Sequence, residues 1–386
     1  MGTLLLLAGA LACGQTDGTV PPPDRWPLMR ELQGTYPGWL LDGNRLSISG
    51  WIEAGFTAST DAHDQLPMGF NYRANELNVQ QAWLRFERSI VTSGTTEPTF
   101  GFRVDTFAGI DYRFSVARGL FDGQLTANQG EPASYGIDPV QIYGEAYLPT
   151  VGKGLDVKIG RWFCLFGIES IDTTQNALVS HSYTFIYNPF TQTGTVAALK
   201  LTDAWTVQAG LTTGSDVFLD PAAAPTITGG VKWAPPNGRN SVAAFAIVGP
   251  GRFDTAENFN NLDVFDLVYT HKFSDRLNYS LEALFAFQTG VPGLNTITEY
   301  GVVQYLSCQL APHLNATGRL EFFDDVQGQR TGFPGLYTAL TAGVTYKPLK
   351  SVLLRPELRY DYNGESRPFE NHHGVFTAAF DAVIRY

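Results

Sequence analysis

Cysteine is scarce in this sequence, and its spacing excludes several kinds of site. The 386 residues contain three cysteines, Cys13, Cys164 and Cys308, which lie far apart and form no C-x-x-C pair. Neither a zinc ribbon nor a dithiol redox motif is therefore supported, and the odd count defines no disulfide framework. We expect Cys164 and Cys308 to serve as small apolar residues rather than as nucleophiles.

Charged residues are also few, and their balance is acidic. They make up 16% of the chain, whereas an ordinary soluble domain has about 25%. The net charge of -11 argues against a nucleic-acid-binding surface. Glycine and proline recur throughout, which is typical of many short segments separated by turns.

Long apolar runs are missing apart from one near the start of the chain. The segment from Leu4 to Cys13 has the size of a signal-peptide core and is too short to span a bilayer. We expect residues 1–12 to be a signal peptide cleaved after Ala10-Leu11-Ala12, with lipidation of Cys13 left open as an alternative. The basic segment that usually precedes such a core is absent, which leaves the start codon open. Residues 13–45 read as a proline-rich periplasmic lead with a brief helix near Trp26 and a turn at Pro37-Gly38.

The last segment of the chain shows the clearest periodicity. Every second residue is apolar, in the series Phe376, Ala378, Phe380, Ala382, Ile384 and Tyr386. Because successive side chains of a strand point to opposite faces, this pattern predicts a strand with one wholly apolar face. An amphipathic final strand that ends on an aromatic residue is typical of the assembly signal of outer-membrane barrels. We assign that signal to Phe380, Ile384 and Tyr386.

The same alternation recurs in about sixteen segments, an even number as bacterial barrels require. Each has roughly 10–14 residues, enough to cross a bilayer as a tilted strand, whereas soluble strands average about five or six. The segments are 46–59, 76–88, 98–110, 138–149, 153–164, 194–202, 204–214, 224–234, 239–249, 261–273, 276–289, 298–309, 312–324, 335–348, 350–363 and 373–386. The pattern slips at Gln80-Gln81 and near Arg161, which indicates bulges or errors of register.

These features predict an all-β protein: a transmembrane antiparallel up-and-down β-barrel of about 16 strands over residues 46–386. Short and long connections alternate along the chain, which is typical of short periplasmic turns and long extracellular loops. The long connection 165–193 joins the fifth and sixth strands. In general diffusion porins the loop at this place folds into the lumen and narrows it, and we expect the same here.

Several strings resemble a known family of bacterial outer-membrane proteins, the "putative beta-barrel porin-2 (OmpL-like)" family. They are GFRVD at 101–105, EAYLP at 145–149, VKIGRWFCLFGIES at 157–170, SHSYTFIYNPFTQTG at 180–194, GRLEFFDDVQGQRTG at 318–332 and LLRPELRYD at 353–361. The resemblance runs from about residue 46 to residue 386. It implies a porin-like barrel and no particular substrate.

Charged residues that alternate with apolar ones must face the lumen, because a basic side chain at the lipid midplane costs about 2–4 kcal/mol. We predict that such residues line a constriction together with acids of loop 165–193. The predicted pore-lining residues are Arg85, Glu87, Arg103, Asp105, Glu169, Asp172, Arg319, Glu321, Arg355, Glu357, Arg359 and Asp361. Their alternating signs allow two roles, cross-strand pairing that rigidifies the wall and selection of solutes by charge.

Catalytic and metal motifs are weak. The sequence contains no G-x-S-x-G, H-E-x-x-H, Walker or G-x-G-x-x-G string. His372-His373 as metal ligands, Asp324-Asp325 with Asp361 and Glu365 as a calcium site, and His181-Ser182 in a barrel phospholipase are minor alternatives. We therefore assign no catalytic residue, metal or cofactor.

The favoured hypothesis is a porin of the bacterial outer membrane that gives passive diffusion of small hydrophilic solutes or ions. The expected partners are outer-membrane lipid, the barrel-assembly machinery, the solutes themselves and a possible homo-trimer. Alternatives are a non-conducting structural or adhesive barrel, an outer-membrane enzyme and a soluble β domain that binds glycans.

Overall fold

A computed structural model describes residues 25–220, 225–249 and 262–386. These residues form sixteen antiparallel strands in one closed barrel, in which each strand pairs with its neighbours in sequence and β16 pairs with β1. The strands are β1 Leu46–Ser59, β2 Leu77–Arg88, β3 Thr99–Gly109, β4 Gly136–Leu148, β5 Leu155–Phe163, β6 Thr191–Lys200, β7 Trp205–Ser215, β8 Thr226–Trp233, β9 Asn240–Val248, β10 Asp263–Lys272, β11 Leu277–Val291, β12 Asn295–Ala311, β13 Leu314–Asp325, β14 Gly335–Leu349, β15 Val352–Asn363 and β16 Gly374–Arg385. The predicted fold class is confirmed, and strand ends differ from the prediction by at most three residues.

The strands separate an apolar outer face from a polar interior. In β15 the outward residues Leu358, Tyr360 and Tyr362 are exposed, and the intervening Arg359 and Asp361 are buried. The same two-residue alternation of burial runs through β13 and β16. A cylinder with this pattern presents its large apolar side chains to the surroundings, as a barrel in a lipid bilayer does.

The N-terminal lead contains two helices, α1 Pro27–Glu31 and α2 Tyr36–Gly43. The turn predicted at Pro37-Gly38 is wrong, because these residues lie in the first turn of α2. Proline is well suited to the first turn of a helix, and the Thr35 side chain caps it by accepting a hydrogen bond from the Gly38 amide. The predicted signal peptide, residues 1–12, and Cys13 lie outside the described residues.

One of the two predicted slips in pattern is a β-bulge. Glu53 pairs with Gln81 and Ala54 with Val79, so Gln80 is the extra residue of β2. The slip near Arg161 is not a bulge, since β5 pairs with both neighbours through Arg161 without a shift in register. Arg161 is fully buried and donates to Asp138 at 2.6 Å, which explains a basic residue where the pattern expects an apolar one.

The C-terminal strand closes the barrel. Its outward residues Phe380 and Ile384 are exposed, and the hydroxyl of Tyr386 donates a 2.6 Å hydrogen bond to the carbonyl of Trp83 on β2. The assembly role of these residues stays a prediction.

The remaining helices of the described chain are short and lie in the connections between strands, and none of its helices is long and apolar enough to cross a membrane. They are α3 Tyr112–Ser115, α4 Tyr183–Ile186 and the 3-10 helices Leu66–Asn71, Asp122–Thr126 and Thr173–Gln175.

Aromatic side chains fill part of the interior beside β1–β3. Trp51 stacks on Trp83 with ring centroids 4.5 Å apart, and Trp83 stacks on Phe107 at 5.1 Å. Trp26, which precedes α1, stacks on the other side of Trp51 at 6.1 Å. Because all three strand residues are fully buried, this stack is packed core and not an open lining.

Candidate functional site

The connection between β5 and β6, here called the β5–β6 loop (residues 164–190), contacts strands on the far side of the barrel. It carries the 3-10 helix Thr173–Gln175 and α4. Its polar groups bond to inward side chains of β1, β2, β11, β12, β13, β14 and β15. Because β5 and β6 lie several strands away from β11–β15 in the closed order, the loop crosses the interior to reach them.

Glu169 of the loop has polar contacts with the wall and with the loop itself. Its carboxylate accepts hydrogen bonds from Arg319 at 2.8 Å and from the Tyr305 hydroxyl at 2.6 Å. It also accepts one from the Ser182 amide at 3.0 Å and lies 2.9 Å from Nδ1 of His181. Burial acts to raise the pKa of Glu169, but Arg319 and His181 outweigh it and lower the pKa to about 2. The carboxylate therefore stays charged in the interior.

Two inward carboxylates of the wall are capped by amides of the loop backbone. Glu357 on β15 accepts from the Val179 amide at 2.8 Å and from the amide and hydroxyl of Ser180. Glu321 on β13 accepts from the amides of Tyr183 and Thr184 at 2.9 and 2.7 Å. These bonds satisfy polar groups that would otherwise be buried without partners, at a cost of about 1–3 kcal/mol each.

Inward arginines bind the loop through its carbonyls. Arg355 on β15 donates to the carbonyls of Thr173 and Asn176 at 2.9 and 3.0 Å, and it also pairs with Asp381. Arg359 donates to the carbonyl of His181 at 2.6 Å. A guanidinium carries five donors in a rigid fork, so one side chain can hold both a strand carboxylate and a loop carbonyl.

Arg85 on β2 shows the same double contact, with the loop residue next to Thr173. It donates to Asp105 of β3 at 2.8 Å and to Asp172 of the loop at 3.2 Å. The carboxylate of Asp172 also caps the 3-10 helix Thr173–Gln175 by accepting from the amide of Thr174. The ladder of alternating charges is therefore a set of contacts between the wall and the loop.

Two inward glycines leave room for the loop. A Cβ atom on Gly301 of β12 would lie 2.6 Å from Oγ1 of Thr184, and one on Gly343 of β14 would lie 2.6 Å from Cδ2 of Leu178. Such distances are too short for carbon in van der Waals contact. The wall is shaped to accept this particular loop conformation.

The structure brings most of the predicted pore-lining residues together and buries them. Only Glu87 and Arg103 of the twelve keep substantial solvent access, with side chains 19% and 31% exposed. The others are packed between the wall and the loop: Arg85, Asp105, Glu169, Asp172, Arg319, Glu321, Arg355, Glu357, Arg359 and Asp361. Their assignment to a constriction stays a prediction, and their observed contacts are with protein.

Sequence reasoning missed several residues of this region. Tyr305 and Thr345 bond to the loop, and Glu282 of β11 accepts from the Ile168 amide at 2.8 Å. Lys232 and Lys272 on β8 and β10 face inward and were also missed. The inward parity of each strand could have identified all five, because each lies two or four residues from another inward residue.

The minor alternatives find little geometric support. Ser182 caps α4 by accepting from the Phe185 amide at 3.1 Å, while the ring of His181 bonds to Glu169. These two side chains therefore do not form a nucleophile and its base. Across the described ranges, no group of three or more His, Cys, Asp or Glu side chains is placed to hold a metal ion.

A closed barrel of sixteen antiparallel strands with an apolar outer face and an interior loop defines the class of outer-membrane porins. The chain belongs to the family described as "Putative beta-barrel porin-2, OmpL-like", whose family model matches residues 45–386. It is therefore a porin of the bacterial outer membrane. A comparison with curated protein sequences finds no match.

Solved structures of outer-membrane proteins share the fold at low sequence identity. The anion-selective porin from Comamonas acidovorans is 10% identical with a TM-score of 0.57, covering 88% of this chain and 99% of that chain. The outer membrane channel DcaP of Acinetobacter baumannii is 11% identical with a TM-score of 0.55, covering 88% and 97%. A loop L8 deletion mutant of OmpT, an outer membrane protein of Vibrio cholerae, is 9% identical with a TM-score of 0.54, covering 88% and 99%.

Proposed function

We propose that this porin gives passive diffusion of small hydrophilic solutes or ions through the part of the lumen beside the β5–β6 loop. The observation that carries the proposal is the ion pair and hydrogen-bond ladder that fixes this loop on the β11–β15 wall. We infer that a loop held in this way narrows the lumen and leaves the side away from the β11–β15 wall open. Such narrowings and their charges set which solutes pass.

In this account the predicted constriction residues act mainly through the loop. Arg319, Glu321, Arg355 and Glu357 are buried beneath it, so their role is to position the loop. Glu87 and Arg103 keep solvent access and are the members of the predicted set that meet solute. In this proposal the buried charges stabilise the wall and the loop, and the two exposed charges select solutes.

The test is swelling of liposomes that contain the pure folded protein, with neutral sugars of increasing size. We expect swelling to be fast for the smallest solutes and to fall steeply with solute size. No swelling with any solute, from protein that migrates as a folded barrel on unheated gels, would instead favour a non-conducting structural or adhesive barrel.

We also propose the partners that a porin of this shape requires. The exposed apolar residues of the strands contact outer-membrane lipid, and the C-terminal strand is recognised by the barrel-assembly machinery. A homo-trimer is the proposed assembly. Chemical cross-linking of native outer membranes tests this assembly, which predicts a ladder that ends at three subunits.

A further inference from the structure

Most acidic side chains of the lumen are paired with bases or buried against amides, although the whole chain is acidic. Asp156 on β5 and Asp266 on β10 are buried without an ion pair to any base that the structure describes. Those under the β5–β6 loop are buried against arginines and amides, as described above. The two that keep solvent access are each paired with a neighbouring base. Glu87 lies 2.5 Å from Arg103, and Glu145 lies 3.3 Å from Lys158.

Three lysines remain as uncompensated charge. Lys232 on β8, Lys272 on β10 and Lys347 on β14 alternate with inward residues and are half-buried. None of them forms a side-chain ion pair with any residue that the structure describes. All three lie near the ends of their strands that share a side of the barrel with Tyr386. These three lysines make the half of the lumen on the Tyr386 side basic.

No hydrogen bond of the described β5–β6 loop reaches Lys232 or Lys272, and the loop meets β10 higher up, near the buried Asp266. Lys232 is level with Ala243 of β9, and the amide of Lys272 bonds to the carbonyl of Arg239 before that strand. The levels of the two lysines along β9 differ by four residues, which is about 13 Å in the direction of the strand. Between them lie the hydroxyls of Ser241 and Thr270, 2.6 Å apart, which can donate to a passing anion.

We propose that the β7–β10 wall is an anion path in which Lys232 and Lys272 set the preference for small anions over cations. This inference rests on the proposed channel function and names its solute class. One unit charge about 8 Å from an ion in water enriches anions about twofold and depletes cations by the same factor at room temperature. Two such lysines in sequence therefore favour anions several-fold.

The test is the reversal potential of the full chain in planar bilayers across a low-salt KCl gradient. We expect a chloride-to-potassium permeability ratio above one, reduced about fourfold in K232Q/K272Q and inverted in K232E/K272E. Raising the ionic strength to about 1 M should weaken the preference, because the Debye length falls to about 3 Å. The matched control is K153Q, which removes a lysine that is paired with Asp203 in a turn.

The outcomes separate this inference from the channel proposal. No conductance from folded protein overturns the proposed function itself. Conductance with a cation preference, or with an anion preference that K232Q/K272Q leaves unchanged, overturns the anion path while the channel stands. The glutamine variant conserves length and polarity, so it decides the question even where the glutamate variant fails to fold.

Discussion

Arg319 on β13 and Glu169 in the β5–β6 loop form an ion pair of 2.8 Å in the barrel interior. The arginine is completely buried, so this pair is shielded from solvent and salt. The same guanidinium donates to the carbonyl of Ser180 at 2.7 Å. One wall residue thus binds two separate points of the loop, which makes the pair the natural place to test how the loop is held.

Removal of Glu169 should release this part of the loop. Glu169→Ala leaves Arg319 buried with an uncompensated charge, which costs about 3–5 kcal/mol when one partner of a buried pair is lost. We expect a lower unfolding temperature and larger, noisier single-channel currents. Glu97→Ala, an exposed glutamate of the β2–β3 turn, is the matched control. Currents identical to the wild type would show that Glu169 does not hold the loop.

Protonation of Glu169 by acid should release the same part of the β5–β6 loop. The pKa of Glu169 in the fold is about 2, below the ordinary value of about 4.3 for an unfolded chain. Its contribution to stability is fully present above about pH 4.3 and is lost as the pH falls through about 2. We expect channel noise to rise over this interval in the wild type and to lack this component in Glu169→Gln. Identical pH profiles for the two proteins would contradict the assignment.

Filling the space beside the inward glycines of the wall tests loop docking independently. Gly343→Ala and Gly301→Ala would place a methyl group 2.6 Å from the loop, and overpacking of this kind typically costs about 1–3 kcal/mol. We expect each variant to shift the loop and to change the conductance. The control is Gly318→Ala on the outward face, where the nearest atom would be 4.0 Å away. Equal effects of all three substitutions would show that strand glycine as such, not loop contact, is responsible.

Tyr386 should matter for assembly of the barrel more than for the finished channel. Tyr386→Ala removes an aromatic ring and the 2.6 Å bond to the Trp83 carbonyl, whereas Tyr386→Phe removes only the bond. We expect a large loss of heat-modifiable barrel in the outer membrane for the alanine variant and a small one for phenylalanine. Similar yields of folded barrel from both variants would mean that the ring is not recognised.

Strand positions could be predicted because the strands of a membrane barrel alternate apolar and polar residues over their whole length. Lipid requires one apolar parity over ten or more residues, so even the ends of β13 and β15 were predicted to within two residues. The bulge at Gln80 was visible for the same reason. Arg161 could not be understood in this way, because its buried partner Asp138 comes from another strand.

The role of the alternating charges could be assigned only from the structure. Alternating charges at Arg355, Glu357 and Arg359 show which face points inward, but not whether water or protein lies against that face. The bonds to the carbonyls of Thr173 and His181 come from a loop about 180 residues earlier in the chain, beyond any local pattern. Lys232 and Lys272 likewise stood out only once the structure showed that they form no ion pair with any described residue.

Single-channel recording of the pure folded protein shows whether the barrel conducts beside a docked β5–β6 loop. We expect discrete conductance steps of uniform size, which become larger and noisier in Glu169→Ala. Absence of steps from protein that is demonstrably folded and inserted would contradict this expectation.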